Sequence, residues 1–102
     1  MPIGNEPIVE SLVLVKGQDF MHDIFAPDGE TFPVGTTAEI VFYDASGTSL
    51  DEWSASVNSA AISWTVDKAV ADTIPHPADF RLYIHYPDGA DFCWYKGSVI
   101  RP

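Results

Sequence analysis

The stretch "DFRLYIHYPDGADFCWYKGSVIRP", residues 79–102, alternates apolar and polar residues, breaks at Pro87-Asp88-Gly89, and alternates again to its end. Phe80, Leu82, Ile84 and Tyr86 fall on one face and Arg81, Tyr83 and His85 on the other, the pattern of a half-buried strand. Proline fixes φ, aspartate can cap the turn, and glycine is free to take φ > 0, so these three residues reverse the chain within a few positions. The return strand is predicted from about Asp91 to Val99.

The same reading places further strands at Ser11–Lys16, Gln18–Ala26, Thr37–Tyr43, Glu52–Val57 and Ala60–Val66, each short and rich in β-branched or aromatic residues. Pro27-Asp28-Gly29 and Asp44-Ala45-Ser46-Gly47 break the pattern, and Asn58-Ser59 reads as a tight turn between a Trp53-containing and a Trp64-containing strand. About seven strands at this spacing predict an all-β fold, an immunoglobulin-like antiparallel β-sandwich. One segment departs from the period of two. In "TVDKAVADTIPHP", Asp67 is placed to cap a short helix, Val70 and Ile74 lie four apart, and Pro75 and Pro77 end it, predicting a short helical crossover at one end of the sandwich. Residues 1–9, with Pro2, Gly4 and Pro7, read as an extended N-terminal arm, and residues 10–102 as a single domain.

Composition narrows the function classes. Fifteen Asp and Glu against five Lys and Arg give a formal charge of −10 with no basic run, so a phosphate backbone or an anionic membrane surface would be repelled. Neither nucleic acid nor membrane is expected as a partner. The single cysteine, Cys93, has no partner for an internal disulfide and no metal-type spacing around it. The N-terminal residues carry neither a basic segment nor an apolar run of signal-peptide length, so assembly in the cytoplasm of a host cell is the expectation.

Few residues suggest chemistry. His22, His76 and His85 share no i, i+2 or i, i+4 spacing, and His22 in the pattern Phe20-His22-Ile24 is expected on the core-facing side with a backbone partner. The acidic pairs Asp28/Glu30, Asp51/Glu52 and Asp88/Asp91 offer at most two carboxylates per turn, too few for a calcium loop. No nucleophile elbow and no phosphate-binding loop occurs. No catalytic residue, metal or other cofactor is expected, and the protein reads as a non-enzyme.

The aromatic residues leave alternatives open. Strict alternation puts Tyr83 and Tyr95 away from the core on neighbouring strands, with Cys93 on the Tyr95 face. Such a ring pair suits contact with a partner protein, packing of one ring on the other, or stacking on a sugar. Lys96 and Arg101, scarce positive charges near the end of an acidic chain, are further candidate contacts.

The segments "VKGQDF" (15–20), "FPVGTTAEIVF" (32–42), "WTVDKAVADTIP" (64–75) and "FRLYIHYPDG" (80–89), followed by Trp94, Gly97, Val99 and Arg101, together resemble a family of small β-sandwich structural proteins of tailed bacteriophages that includes the tail-collar protein. The resemblance covers most of the chain from about Leu12 onward. It implies a non-enzymatic, multi-copy virion accessory protein with an immunoglobulin-like fold, whose partners are other capsid or tail proteins and copies of itself. Decoration of the capsid exterior and a collar or tail-attached ring are both consistent with it. The competing expectation is a carbohydrate- or receptor-binding β-sandwich module that uses its exposed aromatics.

Overall fold

The structure, a computed structural model, describes residues 7–26 and 29–102. Among them the elements run β1 (Ile8–Val9), β2 (Leu12–Val13), β3 (Phe20–Phe25), β4 (Thr37–Tyr43), β5 (Ser49–Ser54), β6 (Ser56–Val57), β7 (Ala61–Val66), α1 (Lys68–Ala71), β8 (Asp79–His85) and β9 (Asp91–Ile100). They form two sheets. The larger has the order β1-β9-β8-β4-β5, with β2 also on the free side of β9, and the smaller has the order β3-β7-β6.

This order is that of an immunoglobulin-like sandwich. If β1 and β2 are taken together as one interrupted first strand, the larger sheet reads first, last, seventh, third, fourth, and the smaller holds the remaining three. The first strand runs parallel to β9, pairing Ile8 with Tyr95 and Leu12 with Val99, and does not lie beside β3. In consequence, among the described residues β3 pairs on one side only, with β7.

Alternation builds the core. Ala38, Ile40 and Phe42 of β4 and Phe80, Leu82 and Ile84 of β8 point inward and are almost fully buried, meeting Ile62 and Trp64 of β7 from the other sheet. Fully burying side chains of this size contributes about 1.5–3 kcal/mol each. The Trp64 indole N–H also donates to the carbonyl of Trp53 at 2.9 Å, which ties the two sheets together inside the core.

The predicted hairpin is present. Asp88 Oδ1 accepts the Ala90 N–H at 2.9 Å, Gly89 takes a φ of 94°, and Tyr86 and Ala90 close the turn through their backbones. The Asp44 turn forms in the same way, its carboxylate accepting from the N–H groups of Ser46 and Thr48. The Ser46 hydroxyl, which also donates to this carboxylate at 2.7 Å, and then these N–H groups hold the Asp44 carboxyl below its ordinary value. Asp67 caps α1 by accepting the Ala69 N–H at 3.1 Å, as its position before the helix predicts. The helix lasts only four residues, and the pair expected on one face divides: Ile74 lies beyond the helix and is buried, whereas Val70 is exposed.

Two expectations about elements need correction. The predicted strand 52–57 is two strands in different sheets, because the chain crosses at Ala55 from β5 beside β4 to β6 beside β7. The Asn58-Ser59 turn is real, with Asn58 Oδ1 accepting the N–H groups of Ala60 and Ala61, but it joins β7 to β6 and not to the Trp53 strand. The second correction concerns the arm: Ile8 and Val9, expected within it, are a strand of the larger sheet. Residues 1–6 of the expected arm, and Pro27 and Asp28 of the first Pro-Asp-Gly break, lie outside the described residues.

Candidate functional site: the outer face of the larger sheet

The outward positions of β4, β8 and β9 bring charged, aromatic and thiol side chains together on one face. Along β8 these are Asp79, Arg81, Tyr83 and His85, opposite Tyr43, Val41, Glu39 and Thr37 of β4. On the other side they face Ser98, Lys96, Cys93 and Asp91 of β9. Cross-strand neighbours share a face, so this register sets Arg81 beside Lys96 and His85 beside Asp91.

His85 joins three strands. Its Nε2 lies 2.6 Å from Glu39 Oε1 on β4 and its Nδ1 lies 2.7 Å from Asp91 Oδ1 on β9. Both ring nitrogens can donate only when the ring is protonated, and hydrogen bonding to Glu39 and then to Asp91 raises the His85 pKa against a smaller opposing effect of burial. The Tyr83 ring stacks alongside that of His85, with centroids 6.4 Å apart and planes 19° apart. Further along the face the Arg81 guanidinium carbon sits 5.6 Å from the centre of the Tyr43 ring. Interaction with the Tyr83 side chain, then burial, holds the Tyr43 phenol above its ordinary value.

A bulge decides which aromatics belong to this face. Leu82 pairs with Tyr95 but the next residue, Tyr83, pairs with Cys93, so Trp94 is an extra residue in β9 and inverts the facing of everything before it relative to everything after. Tyr95 therefore lies on the core side and packs against the core, and Cys93 shares the face of Tyr83. The expectation that Tyr83 and Tyr95 form an exposed ring pair, with Cys93 beside Tyr95, is corrected by that one residue. A signal was present in the sequence: Phe92-Cys93-Trp94-Tyr95 is an unbroken apolar run inside an otherwise alternating strand.

Arg101 is also committed elsewhere. Its Nε and Nη2 donate to the Ile74 carbonyl at 2.9 and 2.7 Å, and Nη2 also donates to the Ala71 carbonyl, so the guanidinium closes the end of α1. Of the residues expected to make contacts, Tyr83 and Lys96 lie together on the outer face, Tyr95 lies behind it, and Arg101 lies at the helix. Glu39, Tyr43, Arg81 and His85 were not singled out as contacts by sequence reasoning, because only the register brings them together.

Other features carry less chemistry. A cleft opens between β2 and β3, lined by Leu12, Phe20, His22, Ile40, Leu82 and Tyr95. His22 lies opposite Trp64 on the strand face shared with Phe20 and Ile24, but it is exposed rather than buried in the core, and the expected backbone partner is not among its contacts; its ring lies 6.4 Å from the Trp64 ring. Burial pushes the Cys93 thiol up, the reverse of what activates a cysteine nucleophile. Among the described residues no group of three His, Cys, Asp or Glu side chains is placed to hold a metal ion, and no helix is long and apolar enough to cross a membrane.

With this architecture in hand, comparison with protein families gives one result: the LtfC-like, beta-sandwich domain matches residues 6–102. The chain belongs to this family. Membership agrees with the two-sheet architecture and supports a β-sandwich domain of phage type, without reaching the tail-collar proteins in particular. Neither a curated protein nor a solved structure matches this LtfC-like chain.

Proposed function

We propose that this LtfC-like domain is a non-catalytic structural component of a tailed-phage virion, a multi-copy accessory protein that decorates the capsid or forms a collar or tail-attached ring. The observation that carries the reading is the outer face of the larger sheet, on which charged and aromatic side chains from three strands are fixed by one another while the backbone beneath them is rigidly paired. Side chains so held lose little further freedom on docking, which favours repeated use of one small surface. The family match over residues 6–102 supports the phage context.

The sugar-binding alternative loses its main support, because Tyr83 and Tyr95 lie on opposite sides of their sheet. The reading is tested on the particle itself. Quantitative mass spectrometry of purified virions, followed by reconstruction, is expected to find the chain in many copies at symmetry-related positions. Its absence from mature particles would overturn the proposal.

A further inference from the structure

An unpaired strand edge offers its N–H and C=O groups to other chains, and proteins blunt such edges with charge or by keeping the strand short. The free edge of β5 carries Asp51 and Glu52, and the first strand is interrupted into β1 and β2, two residues each. The edge of β3 that is free among the described residues is the least guarded. It is six residues long with Asp23 as its one carboxylate, and Met21 and Phe25, on the face turned from the core, are 71% and 72% exposed.

The hydrogen-bond pattern shows which groups this edge presents. The Ala26 N–H donates to the Ala60 carbonyl and the Asn58 N–H to the Ala61 carbonyl, so even-numbered residues along β7 bond to β3 and odd-numbered ones to β6. The residues of β3 opposite those even positions are Phe20, His22 and Ile24. The N–H and C=O groups of Met21, Asp23 and Phe25 therefore point to the free edge, repeating about every 6.8 Å.

Beside that edge lies the cleft between β2 and β3, a volume of about 430 Å³ walled by Leu12, Phe20, Leu82 and Tyr95. Glu10 stands on its β2 side and Asp23 on β3, and among the described residues neither is in an ion pair. No Lys or Arg lines the cleft or lies in β3, β6 or β7. At the Phe20 end, Lys16, Lys68 and Arg101 gather with Asp19, Asp67 and Asp72, so the charge there is balanced.

We infer that the free edge of β3 takes up an extended segment of another protein, which adds a strand to the smaller sheet, lays alternate apolar side chains in the cleft and sets a Lys or Arg against Asp23. A row of backbone groups repeating at every second residue is matched by a strand. The uncompensated carboxylates select the basic residue. A second copy of this chain does not supply it. Residues 1–6 hold no Lys or Arg, and the five basic residues lie in the turn at Lys16, in α1, in β8 and β9, and on the carbonyls at the end of α1.

The probe is a short acetylated and amidated peptide in which valine alternates with threonine and lysine, added to the full chain and followed by amide NMR. Without it, the amides of Met21, Asp23 and Phe25 are expected to exchange rapidly; with it, they slow and shift together with residues that line the cleft. The same peptide with glutamate for lysine, and a reordered basic peptide without the period of two, should each bind at least about tenfold more weakly. Met21→Pro removes a donor from the free edge and none of the bonds to β7, and should weaken binding by a similar factor. Asp23→Lys should turn the preference to the glutamate peptide, with circular dichroism confirming that both variants fold. No binding at about 1 mM peptide, equal binding of the reordered peptide, or shifts confined to another face would overturn the inference. Slow exchange of the three amides in the chain alone would also overturn it: protection independent of concentration would mean that residues 1–6 cover the edge, and protection that grows with concentration that a second copy does. None of these results touches the virion reading, which is decided by the composition of the particle.

Discussion

The Nε2 atom of His85 on β8 lies 2.6 Å from the Oε1 atom of Glu39 on β4, and Asp91 on β9 occupies the other ring nitrogen at 2.7 Å. One imidazole thus ties together the three central strands of the larger sheet on their exposed side. It does so fully only when protonated, since a neutral ring has one N–H to offer two carboxylates.

That geometry makes stability depend on pH with a defined sign. The folded-state pKa of His85 is raised from its ordinary 6.5, first by Glu39 and then by Asp91. The contribution is therefore fully present below about pH 6.5 and is lost as the pH rises through the raised value. A third of the His85 side chain is exposed and Asp91 is more so, so solvent screening limits the effect to about 1 kcal/mol or less. Chemical denaturation of the wild type and of His85→Gln should give curves that differ most at about pH 6 and converge at about pH 9. An NMR titration that places His85 at or below 6.5 would contradict the bridge.

Tyr83 and Tyr95 are predicted to separate stability from surface contact. Tyr95 packs against the core opposite Leu82, so Tyr95→Ala should lower monomer stability by about 2–3 kcal/mol, somewhat less than truncation of a fully buried aromatic. Tyr83 lies on the outer face, and Tyr83→Ala should cost the monomer about 1 kcal/mol or less. Urea denaturation of the two variants decides the matter, and equal losses would place both rings on the same side.

The difference between those tyrosines marks where the sequence stops being legible. Alternation assigned β4 and the first strand of the hairpin correctly, since Ala38, Ile40, Phe42, Phe80, Leu82 and Ile84 face inward with period two. Asp67, Asp88 and Asn58 were readable because capping and turn chemistry is local. The facing of Tyr95 depends on an extra residue in its own strand, and the His85–Glu39 bridge joins positions 46 residues apart that only sheet register makes adjacent. The crossing of the chain at Ala55 was hidden for a similar reason: β5 and β6 read as one continuous strand, and only the sheets they join distinguish them.

Arg101 should act on the monomer and not on a partner. Its guanidinium donates to the carbonyls of Ala71, the last residue of α1, and of Ile74, just beyond it, where the helix no longer supplies its own ladder of bonds. Charge-assisted bonds of this kind contribute about 1.5–3 kcal/mol, so Arg101→Ala should destabilise the domain by about 2 kcal/mol. Lysine offers no planar fork, and Arg101→Lys should recover only part of the loss. Hydrogen exchange would show faster opening around residues 68–74. Unchanged stability together with weakened assembly would instead return Arg101 to the surface.

Gly97 holds the first strand in place by having no side chain. It pairs with Phe80 on β8, and the link between β1 and β2 passes directly over it: a Cβ atom built at Gly97 would stand 1.8 Å from the Glu10 carbonyl oxygen and 3.0 Å from its carbon. Both obstacles are backbone, so no rotation of a side chain relieves them. Gly97→Ala must therefore push the chain at Glu10 away from β9, straining the Glu10 N–H bond to the Lys96 carbonyl and the parallel pairing of Ile8 and Leu12 on either side of it. Leu12 is buried and would be drawn out with the strand, which sets the expected loss at about 2–4 kcal/mol. Loss of amide protection at Glu10 and Leu14 with protection of β4 and β8 retained would locate the damage in the first strand. A variant with wild-type stability would mean that the first strand contributes little to holding the sandwich together.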